Sequence, residues 1–99
     1  MSYKINIEPE AHIDIQEGIS WYNSKQKGLG KRFHKEVTDY IDALKTNPFY
    51  EIKYDSIRCL PLKIFPYTIH FSIIEIDKII IIRAVFQTSL DPLNWKGRI

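Results

Sequence analysis

Apolar and polar residues alternate at the start of the chain. Tyr3, Ile5 and Ile7 are interleaved with Lys4, Asn6 and Glu8, the period-two pattern of a short strand with one buried face. Pro9 suits the first turn of a helix, and acids fall in the early turns, where the helix dipole favours them. Ala11, Ile15, Ile19 and Tyr22 then recur at spacings of four, four and three, which predicts an amphipathic helix. Gly28 and Gly30 break that pattern. A second stripe, Leu29, Phe33, Val37, Tyr40, Ile41 and Leu44, predicts another helix. Asn47-Pro48 stops it, because the residue before a proline avoids helical angles. Two helices joined by a short glycine-bearing turn should form an antiparallel hairpin.

Three strands are predicted after the hairpin. Residues 57–60 make a short one that ends at Pro61, as befits an edge or an early break. Tyr67, Ile69, Phe71 and Ile73 alternate with Thr68, His70 and Ser72, so one face is apolar and the other polar. Residues 75–78 read as a turn and residues 78–86 as the last strand. In an unbroken pleat, Ile80, Ile82, Ala84 and Phe86 share one face there, and Ile79, Ile81, Arg83, Val85 and Gln87 share the other. The order β-α-α-β-β-β predicts an α+β fold with the helical hairpin packed on one face of a mainly antiparallel sheet. The uncovered face would carry Thr68, His70, Ser72 and Arg83. A charge can stand within so apolar a strand if it faces water there.

Composition narrows the picture. A length of 99 residues predicts one domain spanning residues 1–99, and 44% hydrophobic content is ample for one core. No apolar run is long enough to span a membrane, and the first residues have no signal-peptide core. Cys59 is the only cysteine, which rules out an internal disulfide and fits a reducing cytoplasm. A net charge of +2 is too mild to predict strong nonspecific binding to nucleic acid. The charge is uneven, however: residues 25–35 hold Lys25, Lys27, Lys31, Arg32 and Lys35 without an acid. Such a run is either an anion-binding patch or a solvated turn.

His12, His34 and His70 lie on different predicted elements, so no metal site is implied. Gly28-Leu29-Gly30-Lys31 is too short for a phosphate loop, and no cofactor is implied. One constellation suggests chemistry. Arg58, Lys63, His70 and Arg83 fall on or beside the strands of the open face. RNA cleavage without metal needs a base for the 2′-hydroxyl, an acid for the leaving oxygen and cations for the developing charge. These side chains could supply them, and the same set also describes an ordinary solvated strand face. Trp21, Tyr22, Phe33 and Tyr40, at helical spacing, are expected in the core. Trp95, beyond the last strand, is either a core cap or a contact for a partner.

The segment "EAHIDIQEGISWYNSKQKGLGKRFHKEV", then Asn47-Pro48, Arg58, "KIFPYTIHFSI" and "AVFQTSLDPLNW" together resemble the RelE/ParE superfamily of toxins from type II toxin–antitoxin modules. The likeness spans nearly the whole chain, and the last two motifs point to the ParE-like branch. It implies a cytoplasmic growth inhibitor neutralised by a cognate antitoxin that wraps it. ParE-like members poison DNA gyrase, whereas RelE-like members cut mRNA on the ribosome, so fold does not decide between them. Arg58 and the Phe65-Pro66-Tyr67 run match the common pattern. With Arg83 and Trp95, Arg58 and Tyr67 are the expected binding residues. The chain departs from the nuclease pattern at residues 87–91, where Gln87-Thr88-Ser89-Leu90-Asp91 replaces a basic cluster and Trp95 stands near the expected tyrosine. Gln87 and Leu90 also replace the His and Arg of many ParE-like members. The leading expectation is therefore a toxin that binds a protein target, and the alternative is a ribosome-dependent mRNA endonuclease using Arg58, Lys63, His70 and Arg83.

Overall fold

The computed structural model describes residues 2–90 and residue 95. Strand β1 (Lys4–Ile7) leads into helices α1 (Pro9–Lys25) and α2 (Leu29–Ala43). Strands β2 (Ile52–Tyr54), β3 (Ile57–Pro61), β4 (Tyr67–Ile74) and β5 (Ile79–Gln87) follow. They form one five-stranded sheet in the order β1-β5-β4-β3-β2. Only β1 runs parallel to its neighbour, β5, because the hairpin carries the chain across the sheet before it returns. The expected α+β architecture holds, with one strand added. β2 pairs with the start of β3, so this edge is partly covered.

The helices close on each other through two glycines. A side chain at Gly30 would sit on the Ile19 carbonyl oxygen, and one at Gly18 would meet the Phe33 ring. The approach also satisfies an unpaired donor of the first turn of α2: the Gly30 amide donates to Asn23 Oδ1 at 2.9 Å. The hairpin covers one sheet face. There Ala11, Ile15, Phe33, Val37 and Leu44 meet Leu60, Ile69, Phe71, Ile80 and Ile82. Tyr22, Phe33, Phe65 and Tyr67 stack with centroid separations of 4.8–6.0 Å. Glu36 is buried among them because its carboxylate accepts the Ile64 and Phe65 amides at 2.9 and 3.1 Å. Trp21, expected in this core, is 51% exposed, and the Lys25 ammonium lies 4.1 Å from its ring centre.

One irregularity redirects the last strand. His70 pairs with Ala84, but Phe71 pairs with Ile82, so Arg83 is an extra residue in β5. Such a bulge inverts the alternation beyond it. Ile80 and Ile82 face the helices, and so does Val85, which packs in the helix-side core. Ala84 and Phe86 are thereby turned to the second face, contrary to the unbroken-pleat expectation. The Asp14 carboxylate, reaching from α1, accepts the Val85 amide at 3.0 Å.

Candidate functional site

The second sheet face is not a flat solvated surface. His70 on β4 is 1% exposed. The bulge delivers the Phe86 ring to 5.0 Å from the imidazole, and Trp95 covers it at 4.6 Å. Trp95 is thus a cap for this cluster, stacked against Phe86 at 12° between planes. The remaining wall comes from the hairpin of β2 and β3, whose turn residues Asp55 and Ser56 both have positive φ. That turn swings Tyr54 over the sheet, and its hydroxyl lies 2.8 Å from His70 Nδ1. Cys59 Sγ, opposite His70 on β3, lies 3.6 Å from the same nitrogen.

Burial controls the protonation here. Desolvation holds the His70 pKa down to about 4, and the Asp14 carboxylate only partly opposes this. Desolvation also pushes Tyr54 up to about 12, helped by Cys59 and Asp55. It raises Cys59 too, against a smaller opposite pull from Lys53. At neutral pH the phenol and thiol therefore keep their protons, and the imidazole is uncharged. With both protonated groups directed at Nδ1, that nitrogen is assigned as acceptor and Nε2 carries the ring proton. Nε2 is buried without a hydrogen-bond partner. Beside the cluster lies a hollow of about 260 Å³ lined by Lys53, Cys59, Thr68, His70, Gln87, Thr88 and Trp95. Its one cation, Lys53, leans on Glu51 at 3.4 Å.

The four candidate catalytic side chains do not converge. Arg83 is on the second face, but its Nε donates to Ser72 Oγ at 3.2 Å and its Nη1 to Glu8 at 3.0 Å. Arg58 pairs in register with Phe71, a helix-side core residue, and so faces away from His70. There its Nη1 donates to the Tyr50 carbonyl at 2.7 Å, and its guanidinium lies 5.6 Å from the Phe49 ring centre. Lys63 sits on the loop before β4, beside Arg32, Lys35 and Ile64 on the α2 side. His70 and Arg83 thus lie on the second face, but Arg58 does not join them, because odd and even positions of β3 point to opposite sides, and neither does Lys63. Tyr67 is 6% exposed and belongs to the helix-side aromatic cluster. Tyr54, Cys59 and Lys53 were not among the expected site residues. The pattern of Ile52 to Ile57 around Asp55-Ser56 was the available signal for their hairpin. Among the described residues, no group of three or more His, Cys, Asp or Glu is placed to hold a metal ion. No helix among them is long and apolar enough to cross a membrane.

No family model matches this sequence, and no curated protein matches it either. Solved structures do resemble it. A chain of the chromosomal ParDE TA system from P. aeruginosa superposes with a TM-score of 0.79 at 13% identity, covering 89% of this chain and 98% of that one. A chain of the RelBE2 toxin–antitoxin complex from Mycobacterium tuberculosis gives 0.65 at 13% identity, covering 88% and 99%. A chain of the archaeal RelE-RelB complex from Pyrococcus horikoshii OT3 gives 0.58 at 16% identity, covering 92% and 100%. The protein has the RelE/ParE-like α+β fold, and of these three structures the ParDE chain superposes best.

Proposed function

We propose that this protein is the toxin of a type II toxin–antitoxin module, ParE-like in action, acting in the cytoplasm as a single domain. It inhibits growth by binding a protein target, DNA gyrase by the resemblance, and a cognate antitoxin holds it inactive. One observation carries the choice of binding over RNA cleavage: Arg58 and Lys63 lie away from the second face that holds His70 and Arg83, and Arg83 there is bound to Ser72 and Glu8. Cleavage requires base, acid and cations within reach of one phosphate. His70, the natural proton carrier, is neutral, sealed beneath Trp95 and weakly basic. Arg83 is held by Glu8. A ribosome-dependent endonuclease would have to work from Lys53 and the polar wall of the small hollow.

Controlled induction in bacterial cells tests this reading. The expected result is growth arrest with a DNA-damage response, reversed by co-expression of an antitoxin encoded beside the toxin. Primer extension on cellular mRNA should find no new cuts. Discrete ribosome-dependent cleavages, lost in His70→Ala or Arg83→Ala, would instead establish the endonuclease.

A further inference from the structure

Arg58 belongs to a surface that the second-face site does not use. Phe49, Tyr50 and Ile52 are 53%, 37% and 52% exposed, an unusual run of large apolar side chains left open to water. They are contiguous. Ile52 pairs in register with Arg58 and so lies on the same side of the sheet. The Arg58 guanidinium packs on Phe49 and holds the Tyr50 carbonyl. Tyr3 meets Phe49 edge-on at 6.0 Å, and the Lys78 ammonium lies 5.7 Å from the Tyr3 ring centre. The patch is thus an aromatic floor with cations set into it. The carboxylate of its own segment, Glu51, is already engaged by Lys53.

We propose that Tyr3, Phe49, Tyr50, Ile52 and Arg58 form the docking patch for an acidic, apolar segment of the protein on which this chain acts. The inference rests on the reading that the chain inhibits growth by binding a protein. Charge complementarity identifies the occupant. Arginine and exposed aromatics are the side chains that dominate protein–protein contacts when desolvated. Of the five N–H donors of Arg58, those on Nη1 serve Tyr50, leaving a fork suited to a carboxylate. The aromatic floor supplies area that a phosphate backbone does not use. β2 is also an outer strand of the sheet, so an extended segment can lie along it with its carboxylates over Arg58.

The test compares wild type with Phe49→Ser and Arg58→Glu, each expressed with and without the neighbouring antitoxin. Both variants should melt within a few degrees of wild type and still co-purify with the antitoxin. Each should nevertheless need at least tenfold more inducer to arrest growth. Phe49→Ser alone carries the test if the charge reversal impairs folding, because its side chain is half exposed. Full toxicity of the folded variants overturns the proposal. So does toxicity that escapes the antitoxin, which would make this the antitoxin's surface. Arg58-dependent retardation of RNA or DNA by the purified chain also overturns it, in favour of a nucleic-acid surface. A wild-type chain that fails to inhibit growth refutes the functional reading itself.

Discussion

Arg83 and Glu8, at opposite ends of the chain, form an ion pair with Nη1 3.0 Å from the carboxylate oxygen. Arg83 is the bulged residue of β5, and Glu8 is the residue at which β1 gives way to α1. The pair therefore fastens the end of the parallel strand to the irregular point of its neighbour. Both side chains are about one-third exposed, so the attraction is screened. Arg83→Ala and Glu8→Ala should each cost about 1 kcal/mol in urea unfolding. The double variant should cost less than their sum, since either change alone removes the shared contact. Strict additivity would show that the ion pair contributes nothing.

Acid should destabilise the fold through His70. Its folded pKa of about 4 lies below the ordinary 6.5, so the unfolded chain binds the proton more readily between these values. Stability must then fall as pH drops from 6.5 toward 4 and level off below that range. The full effect is on the order of 3 kcal/mol. Urea titrations at pH 7.0, 5.5 and 4.5 measure it, and His70→Phe should flatten this part of the profile.

Glu36 should matter to stability although it carries charge. Its two carboxylate oxygens accept the part-buried Ile64 amide and the buried Phe65 amide. Glu36→Ala leaves both donors unsatisfied and should cost about 3 kcal/mol. Glu36→Gln keeps one acceptor and should cost less. Chemical denaturation of the two variants gives the order, and equal losses would contradict this account.

The hairpin turn at Asp55-Ser56 is strained by its residues. Both positions have positive φ, 41° and 67°, the geometry for which two-residue hairpins favour Asn-Gly or Asp-Gly. Ser56→Gly should raise stability by about 1 kcal/mol, and Ser56→Val should lower it. A thermal melt of each variant decides this, with a fall in Tm for Ser56→Gly as the contrary result.

Local pattern determined the helical hairpin and the strands around Tyr67 and Ile82, because helix and strand periodicities depend on near neighbours alone. It also determined that Phe33, Val37, Leu44, Ile69 and Phe71 would build the core. It could not determine the second face. Alternation is legible only while the pleat is unbroken, and the bulge at Arg83 turns Val85 inward and Phe86 outward. No local signal marks that extra residue; what accompanies it is the Asp14 carboxylate on the Val85 amide, a contact made across 71 positions of sequence. Thr68, His70 and Ser72 looked solvated as a polar strand face, yet His70 is sealed by Tyr54, Phe86 and Trp95. The separation of Arg58 from His70 was likewise decided by register, since Arg58 pairs with Phe71 and Cys59 pairs with His70. Sequence named the cations that could act together. Only tertiary pairing, which assigns each to a face, determined that they are held apart.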